Sequence, residues 1–175
     1  MAIGAGGVDL GTLQSSGAAP KLLRASKTFT GAANLGAVGV NELFTTTGAV
    51  LLDGFWVRCT TDLVDTVDGA LFSLGLPSPE DGLLGAYAGA FDLDSIDNGD
   101  WLLFSGSPGS AVAGWGDNAA WQNTTAYYGG KGISANIIMT ISAQAITGGV
   151  LQFFVLYRPL TSDGALSLGA GMVAI

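Results

Sequence analysis

The chain has 175 residues, of which 49% are hydrophobic and only 11% are charged, and its formal net charge is −8. One cysteine and no histidine exclude a disulfide framework within the chain and the zinc sites that cysteine and histidine build. They also exclude the Ser-His and Cys-His pairs of many hydrolases. The length suits one domain, and we expect it to be no enzyme and to need no cofactor.

The charged fraction is less than half of the roughly 25% found in an average soluble protein. Glycine, alanine, serine and threonine therefore cover surface that charged side chains normally cover, and a solitary monomer of this kind tends to associate. Obligate interfaces are large and depleted in charge. We therefore predict that copies of the chain or another protein cover much of the surface.

Residues 1–22 are predicted to form an extended N-terminal arm, and residues 23–175 a single β domain. The segment up to Pro20 is rich in glycine, alanine and serine and buries too little to order itself. Ordering against a neighbouring subunit and plain disorder are the two alternatives. The arm has neither the basic region nor the continuous apolar core of a secretory signal, which predicts a protein made in the cytoplasm.

Three of the six basic residues, Lys21, Arg24 and Lys27, lie close together where the arm meets the domain. Three charges are too few for the basic stripe of a nucleic-acid-binding protein, and the acidic remainder of the chain would repel phosphate. We therefore predict no nucleic-acid binding and treat these three residues as candidate interface residues.

Short apolar and β-branched runs separated by turn residues occupy the first half of the domain. The pattern predicts four strands, over 27–30, 38–46, 50–60 and 70–76. Gly54 indicates a bulge in the third strand, and the acidic residues 62–69 are predicted to form a loop. Cys59, also in the third strand, is predicted to be a buried thiol that acts as a small hydrophobe.

An acidic loop follows residues 83–91, which fit either a short helix or a strand. It carries four carboxylates, those of Asp92, Asp94, Asp97 and Asp100. Oxygen-rich loops suit Ca²⁺, which takes about six to eight oxygen ligands. Ile96, however, stands where a helix–loop–helix calcium site requires a ligand. A solvated turn held by aspartate and asparagine side chains is the alternative that we favour.

Aromatic residues gather around a glycine-rich segment, 105–125, which lies between predicted strands over 101–104 and 126–128. They are Trp115, Trp121, Tyr127 and Tyr128. A structureless loop of that length is uncommon unless it is functional or packed by its own side chains. Exposed aromatic rings serve sugar-binding surfaces and protein interfaces. We treat the four residues as candidate interface residues and favour an interface or loop anchoring over sugar binding.

Residues 133–158 form the stretch around which we expect the fold to be organised. The run is uncharged as far as Tyr157 and exceeds the roughly 20 apolar residues of a membrane helix. Its periodicity is two, however. One face is predicted to carry Ile137, Met139, Ile141, Ala143 and Ala145 before the glycines and Leu151, Phe153, Val155 and Tyr157 after them. We therefore predict no membrane span but a long β-hairpin, buried on one side, with its turn at residues 147–149.

Pro159 is expected to end the second strand of this hairpin, because proline has no N–H to donate to a β-ladder. Arg158 beside it is expected to pair with an acidic neighbour. A final strand is predicted over 165–168, after the turn at 161–164. About eight to ten short strands without a helical period predict an all-β fold, a β-sandwich or jelly roll.

The segment 146–166 resembles a strand-and-turn motif of small virion structural proteins of tailed bacteriophages. The matching residues are Gly149, Leu151, Phe153, Val155, Tyr157, Arg158, Pro159, Leu160, Ser162, Asp163 and Gly164. A weaker match covers residues 46–63, and together the two segments span about a quarter of the chain. In that family the motif closes a β-sandwich.

The resemblance implies a jelly-roll-like capsid decoration (cement) protein, or a related head-fibre or tail-associated protein, with no catalytic residues. Such proteins are commonly trimers fixed to the outside of a capsid. The implied partners are therefore copies of the chain and the major capsid protein or another virion protein, and the implied location is the virion. The alternative is a carbohydrate- or receptor-binding module on a head or tail fibre, using the region from Trp115 to Tyr128.

Overall fold

The computed structural model describes residues 18–67, 69–76, 91–92, 96–105, 112–116 and 131–175. In these ranges the chain forms twelve strands in two antiparallel sheets and no helix. The all-β prediction is thus confirmed, and the two sheets are consistent with a β-sandwich. The jelly-roll topology stays a prediction, as does the extended arm, most of which lies outside the described residues. None of the described segments is a helix able to cross a membrane.

The strands are β1 (Lys21–Thr28), β2 (Gly39–Thr47), β3 (Val50–Asp65), β4 (Leu71–Gly75), β5 (Phe91–Asp92), β6 (Trp101–Ser105), β7 (Val112–Gly116), β8 (Lys131–Ile133), β9 (Ile137–Ser142), β10 (Ile146–Pro159), β11 (Ala165–Leu168) and β12 (Met172–Ala174). Sheet A has the order β12-β1-β10-β3-β6-β7, with β8 also paired to β3. Sheet B has the order β11-β2-β9-β4-β5. The strand predicted over 126–128 lies outside the described residues.

The predicted hairpin over 133–158 is wrong, because its two strands belong to different sheets. β9 pairs with β2 and β4, whereas β10 pairs with β1 and β3. The chain crosses between the sheets after Ser142, and Ala143 there has a φ of 64°. Gly148 and Gly149 lie inside β10, where its register against β3 shifts. The glycines mark a bulge, not a turn.

The alternation within these strands is confirmed even though their pairing is not. Every position of β9 and β10 that was predicted to share the inward face is buried, namely Ile137, Met139, Ile141, Leu151, Phe153, Val155 and Tyr157. Ala143 and Ala145, predicted to continue that face, lie in the connection between the two strands, and Ala143 is exposed. Together with β2 and β3 they form one hydrophobic core between the sheets. Side chains of alternating residues point to opposite faces, so the inward face follows from the sequence alone.

Three phenylalanines hold the two sheets together at the centre of this core. Phe44 of sheet B meets Phe55 and Phe153 of sheet A, with ring centroids 6.4 Å apart in both pairs. Both contacts are edge-to-face, with interplanar angles of 90° and 79°. That arrangement places the positive edge of one ring against the negative face of the next, which favours aromatic pairs beyond the area they bury.

A bulge in β3 fixes an ion pair on the outside of sheet A. Leu156 lies opposite Gly54 and Tyr157 opposite Leu52, so Asp53 is the extra residue of the bulge. The Arg158 guanidinium donates from Nε and Nη2 to the two Asp53 carboxylate oxygens, at 2.7 Å each. The bulge at Gly54 and the pairing of Arg158 with an acidic neighbour are therefore both confirmed.

Replacing Phe153 with alanine tests the core. Phe153→Ala should lower the free energy of unfolding by about 3–5 kcal/mol, because the ring is fully buried and its removal leaves a cavity. Gln152→Ala, the neighbour on the outer face, is the matched control and should cost about 0.5 kcal/mol or less. Urea unfolding of the three proteins makes the measurement, and equal small losses for both variants would contradict the register.

Candidate interaction surfaces

The three basic residues predicted near the arm belong to strand β1. This strand pairs with β10 from Lys21 opposite Tyr157 to Thr28 opposite Val150. The first strand therefore begins at Lys21, six residues before the start of the strand predicted over 27–30. Alternation also separates the three side chains, since Arg24 lies on the outer face and Lys27 on the inner face.

Lys27 is fully buried, a position that departs from the expectation of an exposed interface residue. Its Nζ donates to the backbone oxygens of Glu42 at 3.1 Å and Ala170 at 3.0 Å. Glu42 lies in β2, next to a register shift against β9, and Ala170 lies between β11 and β12. Lys27 thus joins sheet A to sheet B by satisfying two carbonyl groups that irregular backbone leaves available.

Burial lowers the pKa of the Lys27 ammonium from 10.5 to about 8, and the nearby negative charge of Glu42 opposes that change. A buried ammonium loses hydration, which disfavours its charged form. The two carbonyl acceptors replace part of the lost hydration.

All three arginines of the chain, Arg24, Arg58 and Arg158, lie on the outer face of sheet A. The register places Arg24 in one row with Phe154 and Trp56, and Arg58 in the next row with Gln152 and Trp101. We call this surface the arginine face, defined by Arg24, Trp56, Arg58, Trp101, Gln152 and Phe154.

The Arg58 guanidinium, at the centre of the arginine face, packs on an aromatic ring. The Cζ atom of Arg58 lies 5.5 Å from the ring centroid of Trp101, within the range of a cation–π contact. The Trp101 ring in turn packs on Phe154, with centroids 5.6 Å apart. The Arg58 Nε atom is buried and has no hydrogen-bond partner among the described residues. A buried donor without an acceptor costs about 1–3 kcal/mol.

Carboxylates lie beside the arginine face, at the end of sheet A. Asp100 precedes Trp101 directly, and its backbone oxygen accepts a hydrogen bond from Cys59 N at 2.8 Å. Asp62 accepts one from Asn98 N at 2.6 Å. We call Asp62, Asp97 and Asp100 the acidic edge, and Asp97 at its tip is exposed.

The loop carrying the acidic edge has the hydrogen bonds of a turn. The Asp100 carboxylate accepts from Asp97 N at 3.0 Å, and Asp100 N donates to the Asp97 backbone oxygen at 3.1 Å. The described residues hold no group of three or more metal-ligating side chains. Asp92 lies in β5 opposite Leu71, and Asp94 lies outside the described residues, so the four-aspartate calcium site stays a prediction.

Cys59 is fully buried beneath this edge, as predicted. Burial raises the pKa of its thiol to about 11, the hydrogen bond to the Thr61 oxygen lowers it, and nearby carboxylates including Asp62 raise it further. The thiolate is the reactive form of cysteine, and the raised pKa keeps Cys59 in the thiol form. Cys59 therefore serves packing in the folded chain.

Sheet B presents an outer surface of different character. One row across it contains Val40, Thr140 and Ser73, and the next contains Glu42 and Ile138. Val40 is 61% exposed. We call this surface the uncharged face. Its two rows contain one charged residue, Glu42, whose carboxylate accepts hydrogen bonds from Asn136 and Thr45.

The aromatic candidates from the sequence fall largely outside the described residues. Trp115 lies in β7, opposite Leu102 of β6, whereas Trp121, Tyr127 and Tyr128 are among the residues not described. Sequence reasoning missed Trp56, Arg58, Trp101 and Phe154 as one surface. The signal was present in part, since the positions between the buried residues of β3 and β10 include Trp56, Arg58 and Phe154, but their assembly depends on strand pairing.

Comparisons with family models, curated proteins and solved structures found no match for the chain. The functional argument therefore depends on the residues and on their geometry.

The pH dependence of stability tests the buried lysine. Between pH values of about 8 and 10.5 the unfolded chain binds more protons at Lys27 than the folded chain does, so the free energy of unfolding rises with pH. From about pH 7 to about pH 9.5 the wild type should gain roughly 2 kcal/mol relative to Lys27→Met. Urea unfolding at both pH values measures this gain. Cys59 is present in both proteins, so its ionisation cancels, and parallel pH profiles would contradict the burial of a titrating ammonium.

Proposed function

We propose that the protein is a structural component of a bacteriophage virion, made in the host cytoplasm, and acts as a capsid decoration (cement) protein. In this proposal it forms a homo-oligomer, a trimer by analogy with such proteins, and stabilises the shell by binding the major capsid protein or another virion protein. The observation that carries the proposal is the uncharged face, a sheet surface with exposed valines that water solvates poorly.

Surface character supports an assembling protein. Eight large hydrophobic side chains of the described residues are exposed, among them Val38 and Val40 at the uncharged face and Val173 at the edge of sheet A. Single exposed apolar residues are ordinary on a soluble protein. Here they accompany a chain with 11% charged residues, so few charges are available to solvate the surface around them.

The residues that carry the family resemblance serve the framework. Phe153 and Tyr157 pack in the core, and Arg158 holds the bulge at Asp53. The turn that follows is closed by a hydrogen bond from Gly164 N to the Thr161 oxygen at 2.9 Å. Thr161 Oγ1 accepts a hydrogen bond from Ala49 N at 2.9 Å, which fixes the turn against the β2–β3 connection. A motif that builds a framework without a reactive group suits a structural protein.

A second candidate function is carbohydrate or receptor binding on a head or tail fibre. The observation favouring it is the arginine face, where Trp101 and Phe154 expose aromatic surface beside Arg58. Aromatic rings with a few polar groups are common in sugar sites. Loss of glycan-array binding in Trp101→Ala would support this function over decoration. Trp56→Ala, which should retain the fold, is the comparison variant.

Particle binding tests the decoration proposal directly. Capsids of the phage that encodes the chain, stripped of this protein, should bind the added oligomer and sediment with it. Val40→Asp should weaken binding to the particle by about tenfold or more, because it buries a charge in an apolar contact. Thr28→Asp, at an exposed position of β1 on the outer face of sheet A, is the control for charge alone. Failure of the wild type to bind such capsids would remove the proposal.

The arm is tested by truncation. Deleting residues 1–20 should leave the two sheets folded, because β1 begins at Lys21 and each hydrogen bond of the described sheets lies after the cut. Retention on particles should weaken, since ordering the arm across a neighbour adds contact area at about 1–2 kcal/mol of entropy per residue, which many lattice sites together can offset. Sedimentation of truncated and full-length protein with capsids makes the measurement, and identical retention would remove the arm from the mechanism.

A further inference from the structure

We propose that the arginine face of one copy of the chain docks on the acidic edge of a second copy. The inference deepens the self-association in the proposed function by naming the two surfaces that meet. The contact joins Arg24 and Arg58 of one subunit to Asp62, Asp97 and Asp100 of its neighbour, around the rings of Trp101 and Phe154.

The arginines supply the first part of the argument, because two of them have no carboxylate partner among the described residues. Within the described residues the one salt bridge joins Arg158 to Asp53, and no carboxylate is that close to Arg24 or Arg58. Arg24 and Arg58 are two strands and two residues apart in the register, about 12 Å between Cα atoms. Two long side chains at that spacing reach the same acidic surface.

The buried Nε of Arg58 supplies the second part. Trp101 covers one face of the guanidinium, and the buried Nε finds no acceptor in the described chain. Hydrogen bonds between guanidinium and carboxylate are among the strong ones in proteins, and the planar guanidinium can donate two parallel hydrogen bonds to one carboxylate. A carboxylate brought by a partner neutralises the guanidinium charge, whereas an apolar or basic partner leaves that charge unpaired.

The acidic edge identifies a second copy of the chain as the partner that binds the arginine face. It lies one residue from Trp101, so each copy presents a positive and a negative surface side by side. Neighbouring surfaces of opposite sign are self-complementary about a symmetry axis, because the two contacts form together. Arginine and tryptophan are also the residue types that carry most binding energy at protein interfaces. The chain as a whole carries a net charge of −8, which disfavours the approach of a free anion.

Charge reversal of the full-length protein, followed by sedimentation velocity and native mass spectrometry at low micromolar concentration, tests the contact. Arg58→Glu and Asp97→Arg should each raise the dissociation constant of the oligomer by about tenfold or more, because each places like charges together. The double variant Arg58→Glu with Asp97→Arg should recover most of that loss. Added salt should weaken the wild-type oligomer, since the rim charges are screened.

Lys21→Glu is the matched control, because it makes the same change in charge at an exposed position on the other side of β1. It should leave the oligomer unchanged. Asp97 lies in an exposed turn, so its reversal keeps the test valid if Arg58→Glu fails to fold.

Three results would overturn the contact: a monomeric wild type, a loss with Arg58→Glu but none with Asp97→Arg, or no recovery in the double variant. The second of these would assign the arginine face to an acidic partner of another kind. Particle binding is measured separately. A wild-type oligomer that forms but does not bind capsids would refute decoration without contradicting this contact.

Discussion

The structure depends on the position of β10 between β1 and β3. Both neighbours pair with it over most of its length, from Lys21 opposite Tyr157 on one side and from Val50 opposite Pro159 on the other. Its inward residues, with Phe153 at the centre, are held against sheet B by the phenylalanine cluster. Once that face is buried, the residues on the outer face of the strand are fixed as well, because a register shift of one residue would turn every buried side chain toward solvent. The outer rows of sheet A follow from this constraint.

Local periodicity predicted the faces of the strands well and their partners poorly. The buried positions of β9 and β10 could be predicted because side-chain direction repeats every two residues wherever one face is buried. The pairing could not, since a hairpin and a crossing between sheets present the same alternation. The actual corner is at Ala143, a residue that carries no turn signal, while Gly148 and Gly149 resemble a turn and form a bulge. Glycine serves both geometries equally.

The interaction surfaces were less accessible from the sequence than the core, for a related reason. Grouping Lys21, Arg24 and Lys27 by nearness along the chain mixed the two faces of one strand, and it included a lysine that the fold buries. Arg58 and Trp101 are far apart in sequence and meet only because β3 pairs with β6. Contacts of that kind depend on long-range pairing, about which neither composition nor spacing carries information.

Two cations in sheet A show how differently the chain treats its buried charge. Lys27 lies in the interior, and two carbonyl oxygens accept from its ammonium, so its desolvation is compensated in part within the fold. Arg58 buries Nε against Trp101 with no acceptor among the described residues, so its desolvation is left uncompensated there. In the proposed contact, a carboxylate of a second copy supplies the countercharge that the described residues do not give Arg58.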